Sequence, residues 1–218
     1  TTKTIKELSE NEFVLNASRY FEVLPTIENG VEFDLLIKNI TRGSQLKASD
    51  FDEYKSSTPT NYQYLILSNI NDGVITLNND DQYLKEIPDK LEKYCIKNNS
   101  IVLSKTGMPT FKSAVAQIDE NTKVVANGNL FVIELDENRV NPFYIQAFFA
   151  SNLGETILKS IYTGASIPTI TLDKLKKMII PFPSLQEQEG IAQKYAAAVD
   201  ELILLNRKVE KTKNRMKH

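Results

Sequence analysis

The chain has 218 residues, with 26 lysines and arginines against 28 aspartates and glutamates, and its formal net charge is -2. This near-neutral charge excludes a uniformly basic nucleic-acid-binding surface, so any such role must come from a local patch. The single cysteine, Cys95, excludes an internal disulfide, and with the single histidine, His218, it excludes a Cys/His zinc site and a histidine-dependent triad.

About the first 135 residues are predicted to form short strands and loops. Each strand is rich in β-branched or aromatic residues and is bounded by Asn, Asp, Gly or Pro. The predicted strands are Phe33–Ile37, Tyr64–Ser68, Ile101–Ser104, Ser113–Gln117, Lys123–Val125 and Leu130–Glu134. The segment Asn71–Gly73 is a strong turn signal between two apolar segments. The pattern of Asp89–Lys97 leaves open a short helix or a covered strand.

Helices are predicted to follow the strands. Asn141 can cap a buried helix over Pro142–Ala150, because a proline in the first turn loses no hydrogen bond that the helix needs. A second helix is expected to begin near Asn152, with Glu155 as its capping-box partner. The segment Thr171–Lys177 is compatible with a third, short helix.

A long helix is the clearest structural prediction for the end of the chain. The segment Ser184–Glu187 has the pattern of a capping box, and no Gly or Pro follows Gly190. Apolar positions then recur at alternating spacings of four and three, as in a coiled coil. These seam positions are Ile191, Tyr195, Ala198, Leu202, Leu205, Val209, Thr212 and Met216. We expect the seam to contact a second helix, although a helix packed back on its own domain is the alternative.

No combination of residues in the sequence supports catalysis. The segment Asn141–Tyr144 resembles the Asn-Pro-Pro-Phe/Tyr loop with which amino methyltransferases hold a base, but the second proline is absent and a helix cap explains the asparagine. Glu53–Lys55 and Pro88–Asp89 match the two halves of a nuclease metal site in reversed order, and such short matches are frequent by chance. No P-loop is present. The sequence therefore predicts a binding module without a cofactor.

Three glycine-bearing loops carry groups that suit DNA. They are Thr41–Ser44, Ser104–Gly107 and Tyr162–Ser166. Cations and hydroxyls fit phosphates and base edges, and glycine lets the backbone approach a ligand closely. The candidate DNA contacts are Arg42, Lys47, Lys105, Thr106, Lys112, Thr163 and Ser166. The alternative for each is an ordinary solvated side chain in a loop.

The order and spacing of several segments resemble a known family. They are Ile101–Gly107, Val125–Leu130, Asn141–Tyr144, Ser151–Gly154, Gly164–Pro168 and Ile180–Gln188. Together they are similar to the target recognition domain of type I restriction-modification specificity subunits. The similarity is good over roughly residues 95–218 and loose before them.

The resemblance implies an α+β fold. A mixed, sheet-rich recognition domain with peripheral helices would occupy residues 1–183, and a long coiled-coil helix would occupy residues 184–218. The resemblance also implies a non-catalytic module that reads one half of a split double-stranded DNA site. Such a module docks adenine-N6 methyltransferase subunits and, in the full complex, a restriction subunit.

One recognition domain and one helix make half of such a subunit. We therefore expect either a half-subunit that works as a homodimer or a fragment whose second helix comes from a missing region. Phe13–Tyr20 resembles the junction found where such a domain is fused behind an adenine methyltransferase. A cytoplasmic protein without a membrane partner is expected, since no apolar run reaches the roughly 18 residues of a membrane span. The alternative function is a protein-interaction adaptor that assembles through its C-terminal helix and binds no DNA.

Overall fold

The computed structural model describes residues 4–6, 26–77, 82–107, 111–164 and 167–216. The strands are β1 (Gly30–Glu32), β2 (Ile37–Arg42), β3 (Tyr62–Leu65), β4 (Ile70–Asn71), β5 (Val74–Ile75), β6 (Ile101–Ser104), β7 (Ser113–Val115), β8 (Lys123–Ala126), β9 (Leu130–Leu135), β10 (Tyr162–Thr163), β11 (Thr169–Ile170) and β12 (Ile179–Pro181). The helices are α1 (Ala48–Tyr54), α2 (Asp89–Glu92), α3 (Pro142–Ala150), α4 (Asn152–Ile161), α5 (Leu172–Lys176) and α6 (Leu185–Met216). This arrangement confirms the predicted α+β class with a long C-terminal helix.

A four-stranded antiparallel sheet in the order β2-β9-β6-β7 forms the centre of the fold. Ile133 in β9 pairs with Ile40 of β2 on one side and with Ile101 of β6 on the other. Phe131 and Ile133 belong to one hydrophobic core, and Val132 between them belongs to another. Since side chains alternate between the faces of a strand, both faces of β9 are buried. This explains why its sequence is an almost continuous apolar run.

Helices α3 and α4 cover one face of the sheet. Ile145 of α3 and Leu158 of α4 are buried in the core on that face. The rings of Phe149 and Phe33 meet edge to face with centroids 5.8 Å apart. The hydroxyl of Tyr144, also on α3, donates to the Pro181 carbonyl at 2.7 Å. The aromatic residues that predicted a buried helix therefore join the sheet to the strand that precedes α6.

Smaller strand pairs surround the central sheet. β3 and β8 pair in parallel, whereas β1–β12, β4–β5 and β10–β11 are antiparallel. The β4–β5 hairpin has Asp72 at φ 51° and Gly73 at φ 78°. Positive φ at both central residues is typical of the two-residue turns that suit the twist of a hairpin. The predicted turn at Asn71–Gly73 is therefore confirmed.

Two predicted strands are wrong in part. The segment Phe33–Leu36 is a 3-10 helix, and β2 begins only at Ile37. Phe33 and Leu36, three residues apart, point together into the core, which suits three residues per turn. The strand predicted over Tyr64–Ser68 ends at Leu65 because the Asn69 side chain accepts a hydrogen bond from the Ile66 N–H at 2.9 Å.

Helix α6 begins with the predicted capping box. The Glu187 carboxylate accepts from the Ser184 backbone N–H at 2.9 Å, and the Ser184 hydroxyl accepts from the Glu187 N–H at 3.4 Å. The Ser184 hydroxyl also donates to the Glu187 carboxylate at 2.7 Å, and this bond, together with the bond from the Ser184 N–H, lowers the pKa of the Glu187 carboxyl below its ordinary value. Just beyond, the buried Gln188 side chain accepts from the Asn141 N–H at 3.1 Å and donates to the Pro183 carbonyl at 3.0 Å. The start of α6 is thereby joined to the start of α3.

The first part of α6 packs on its own domain through a stripe that the sequence reading missed. Gln188 and Ala192 are buried, and Val199 and Ile203 are half-buried. This stripe lies beside the seam, so the helix carries two apolar strips there. None of the helices in the described part of the chain is long and apolar enough to cross a bilayer.

Burial on both sides predicts that β9 is critical for stability. Replacing Ile133, which is fully buried, with alanine should lower the free energy of unfolding by about 2–5 kcal/mol, because it removes apolar contacts and leaves a cavity. Chemical denaturation followed by circular dichroism measures the change. Leu35→Ala is the control, since Leu35 is 56% exposed and its replacement should cost no more than about 0.5 kcal/mol. Equal losses in the two variants would contradict the assignment of β9 to the core.

Candidate nucleic-acid interface

The ends of three strands bring the glycine-bearing loops together at one edge of the sheet. β2 and β6 both run antiparallel to β9, so their C-terminal ends meet the start of β9. There the β8–β9 turn, residues 127–129, lies between Arg42 and Lys105. We call this edge the glycine-loop end. Its members are Thr41–Ser44, Ser104–Gly107, Asn127–Asn129 and the β10–β11 hairpin.

Backbone hydrogen bonds hold these segments against one another. The Lys105 N–H donates to the Asn129 carbonyl at 2.7 Å, and the Lys105 carbonyl accepts from the Ile170 N–H at 2.9 Å. The Gly107 N–H donates to the Pro168 carbonyl at 3.2 Å. The loop after β6 is thus held between the β8–β9 turn on one side and the β10–β11 hairpin on the other.

A buried tyrosine connects the first loop to the β8–β9 turn. The Tyr64 hydroxyl donates to the Ser44 carbonyl and accepts from the Asn127 side-chain amide, each at 3.1 Å. Burial raises the pKa of the Tyr64 hydroxyl above its ordinary value, so it remains a donor across the neutral range. The Asn127 amide oxygen in turn accepts from the Asn129 N–H at 2.9 Å. The shape of the turn therefore depends on groups in the interior.

Two cations lie at this edge. The Arg42 Nε donates to the Gly128 carbonyl at 2.8 Å. The Gln45 side chain, with its amide oxygen facing the guanidinium, accepts from Arg42 Nη1 at 2.7 Å. Burial, and then repulsion from Arg42, lowers the pKa of the Lys105 ammonium below its ordinary value. Arg42 and Lys105 are therefore near enough to interact, and the described residues of the glycine-loop end include no carboxylate to neutralise them.

The glycines of these loops serve internal packing. A Cβ on Gly43 would lie 2.2 Å from the Asn127 carbonyl oxygen, so only glycine lets the two backbones approach this closely. A Cβ on Gly107 would lie 2.7 Å from the Phe111 ring. We expected these glycines to leave room for a ligand, but protein atoms already occupy that space. Internal packing is therefore the simpler explanation of the two glycines.

The structure brings four of the seven candidate DNA contacts to the glycine-loop end. They are Arg42, Lys105, Thr106 and Thr163. The Thr163 hydroxyl donates to the Thr169 carbonyl at 3.2 Å, within its own hairpin. Lys47 is exposed just before α1, in the segment that joins this helix to β2.

The two remaining candidates do not join this group. The Lys112 ammonium donates to the Asn71 side-chain oxygen at 2.9 Å, so it is directed towards the β4–β5 hairpin. Ser166 lies outside the described residues. As DNA contacts, all seven candidates stay predictions.

Sequence reasoning missed the polar amides of this edge. Gln45 and Asn129 are exposed, and neither was among the candidate contacts. The signal was present in the Asn127–Asn129 segment, since Asn-Gly-Asn is a strong turn pattern between two β-rich segments. The sequence does not show that this turn lies beside Arg42, because Arg42 is more than 80 residues away along the chain.

The methyltransferase-like segment has a structural role. The Asn141 side chain accepts from the Phe143 N–H at 2.9 Å and so caps α3. Its amide also donates to the Glu189 carboxylate of α6 at 2.8 Å. Tyr144 is buried rather than presented to a base. The helix-cap interpretation of this segment is therefore confirmed.

Most of the chain matches one known protein family. Residues 37–212 match the family described as type I restriction modification DNA specificity domain. The chain belongs to this family. The match confirms the resemblance that was based on sequence segments, and the chain is a DNA specificity domain rather than an enzyme. No curated protein sequence matches the chain.

Solved structures show the same fold for this specificity domain. The type I restriction-modification S subunit from M. genitalium is 17% identical, with a TM-score of 0.53 over 86% of this chain and 45% of that one. The HsdS subunit from Thermoanaerobacter tengcongensis is 14% identical, with a TM-score of 0.50 over 93% and 46%. The type IIG restriction endonuclease BpuSI is 8% identical, with a TM-score of 0.56 over 77% and 26%. The specificity domain spans about half the length of the two subunits.

The role of Tyr64 gives a prediction for the specificity domain. Tyr64→Phe should lower the free energy of unfolding by about 1–3 kcal/mol, because the Ser44 carbonyl loses its donor and the Asn127 amide its acceptor in a buried place. Thermal or chemical denaturation measures it. Tyr83→Phe is the matched control, because Tyr83 is only half-buried and its hydroxyl has no hydrogen bond to the described residues. A Tyr64 variant as stable as the control would remove the proposed link between the loops.

Proposed function

We propose that the glycine-loop end is the surface with which this specificity domain binds double-stranded DNA and reads one half of a split target site. The observation that carries the proposal is the convergence of Arg42 and Lys105 on a turn of uncharged residues, since Arg42 is hydrogen-bonded to Gly128 and the Lys105 N–H to the next residue, Asn129. A chain with a net charge of -2 keeps two cations together there without a carboxylate from the described loop residues. Such a place attracts a polyanion locally although the protein as a whole does not.

The two cations fit phosphate contacts better than base contacts. Arg42 already donates through Nε to Gly128 and through Nη1 and Nη2 to Gln45, which fixes its guanidinium. Each of the two Nη atoms carries a second N–H, which can donate to a phosphate oxygen. Burial, and then repulsion from Arg42, lowers the pKa of the Lys105 ammonium, and an anion close to Lys105 would offset that repulsion. Phosphate contacts of this kind fix the position of a protein on the duplex, and neighbouring polar side chains then read the sequence.

Reading one half of a split site fits the extent of the chain. The two specificity subunits compared above are about twice as long as this chain, which supplies one recognition domain and one long helix. We propose that a second helix completes the arrangement, either from a second copy of the chain or from a region of a longer protein. In that assembly the specificity domain would dock an adenine-N6 methyltransferase subunit or domain and, in a full complex, a restriction subunit.

Exposure along the seam supports a helical partner. Leu205 and Val209 are each 49% exposed and Met216 is 81% exposed, although all three are apolar. Ile191 is 42% exposed, and Ala198 and Thr212 are exposed as well. Tyr195 and Leu202 are half-buried beside the domain, and the Gln146 side chain donates to the Tyr195 hydroxyl at 3.3 Å. We therefore propose that the distal part of the seam provides most of the contact with the partner helix.

The DNA-binding proposal predicts a loss of affinity when either cation is removed. Arg42→Ala or Lys105→Ala should each weaken duplex binding by roughly 10-fold at about 100 mM salt, since one phosphate contact is lost. The slope of the logarithm of the affinity against that of the salt concentration should fall by about 1 in each variant. Fluorescence anisotropy with labelled duplex DNA over a salt series measures both quantities.

Lys38→Ala is the matched control for these variants. Lys38 is exposed at the start of β2, at the end of the sheet opposite to Arg42, and its replacement removes the same charge. It should leave the affinity and the salt slope almost unchanged. If all three variants weaken binding equally, or if the unchanged chain binds no duplex at any salt concentration, the glycine-loop end is not the DNA-binding surface.

The proposed helix pairing makes a separate prediction. Leu205→Glu places a charge in the seam and should shift the chain from dimer towards monomer in sedimentation equilibrium, because a buried unpaired carboxylate is strongly unfavourable. Leu204→Glu is the control, since Leu204 is also exposed but lies one position outside the seam. A chain that is monomeric at all concentrations would contradict the homodimer and leave the helix of a longer protein as the partner.

A further inference from the structure

We propose that Asn129 is the residue that reads an adenine in the target sequence. This inference rests on the DNA-binding role proposed above and deepens it, because it assigns base recognition to one side chain. Asn129 belongs to the β8–β9 turn, which is hydrogen-bonded both to Arg42 and to Lys105. Asn129 was not among the residues that the sequence indicated as DNA contacts.

Backbone groups hold Asn129 in place while its side chain is unoccupied. Its N–H donates to the Asn127 side chain at 2.9 Å, and its carbonyl accepts from the Lys105 N–H at 2.7 Å. The residue is exposed, and its side-chain amide has no hydrogen bond to any described residue. Both backbone groups are therefore used internally, whereas the amide is left for a ligand.

Hydrogen bonds connect both cationic residues to the turn that carries this amide. Arg42 is bound to the carbonyl of Gly128, the residue before Asn129, and Lys105 is bound through its backbone to Asn129 itself. Phosphate contacts by the two cations would hold a duplex with its base edges close to the turn. An amide at this place is where a base-reading group is needed, since phosphate contacts alone carry no sequence information.

The chemistry of the amide selects adenine. One carboxamide offers a donor and an acceptor side by side, and adenine presents the complementary N7 acceptor and N6 donor in the major groove. A lysine or arginine would favour guanine instead, because the N7 and O6 groups of guanine in the major groove are both acceptors. The short asparagine side chain on a fixed turn also has few rotamers to lose when it binds, which favours a specific contact.

Selection of duplexes from a randomised library by the full chain tests the inference. The unchanged chain should select a motif with at least one strongly preferred adenine. Asn129→Ala should lose the preference at one adenine position, by about 5- to 150-fold, which corresponds to one bidentate contact. Its affinity for unrelated duplexes and its salt slope should not change, unlike those of Arg42→Ala.

Asn121→Ala is the matched control. Asn121 is also an exposed asparagine without a hydrogen bond from its side chain to the described residues, but it precedes β8 and so lies at the other end of that strand. This variant should select the same motif as the unchanged chain. Thermal denaturation of both variants shows whether they are folded, and Asn129→Ser offers a second substitution if the alanine variant is not.

A modified base distinguishes direct contact from an indirect effect. Replacing the affected adenine by 7-deazaadenine removes the N7 acceptor, so it should weaken binding by the unchanged chain and not by Asn129→Ala. If the modified base weakens DNA binding by the unchanged chain and by Asn129→Ala equally, or if the Asn129 variants select the original motif, the inference is wrong. If the unchanged chain selects no motif but binds duplex DNA, base reading fails while duplex binding by the glycine-loop end stands. If it binds no duplex, the proposed function itself fails.

Discussion

The position of β9 between β2 and β6 is the constraint from which the rest of the structure follows. Its two faces belong to separate hydrophobic cores, and its two edges are hydrogen-bonded to neighbouring strands. A strand enclosed on four sides has one register, because a shift by one residue would exchange the side chains of the two faces. The start of β9 is consequently fixed beside the C-terminal ends of its neighbours. The cations of the glycine-loop end depend on this arrangement for their proximity.

Groups of the interior support the glycine-loop end. Tyr64 lies in the core and nevertheless controls the Ser44 carbonyl and the Asn127 amide, which belong to two surface loops. Gly43 has a similar role, since its lack of a side chain lets the first loop lie against the β8–β9 turn. A surface built in this way can change its exposed residues while the groups beneath it keep the backbone in place. Asn129 and Gln45 are exposed residues of this kind.

The sequence predicted local features well and distant relations poorly. The capping box of Ser184 and Glu187 and the turn at Gly73 depend on neighbours along the chain, so their patterns were sufficient. The segment Phe33–Leu36 was misread as a strand because its apolar residues suit either element, and only the core decides between them. The proximity of Arg42 to the β8–β9 turn depends on strand order, which no local pattern contains. The second apolar stripe of α6 was missed because the seam already explained the helix.

The continuity of α6 has a mechanical consequence. A single helix passes without a break from the buried Ala192 to the exposed Met216, and the part beyond Ile203 is about 20 Å long. Successive side chains of a helix are rotated by about 100° around its axis. The direction in which the distal seam faces is therefore set by the number of residues between it and the part of α6 that packs on the domain. Inserting one residue after Ile203 would rotate the distal seam around this axis relative to the glycine-loop end, whereas inserting seven would mainly translate it. The length of the helix thus sets both the distance and the rotation angle between the globular part of the chain and the far end of α6.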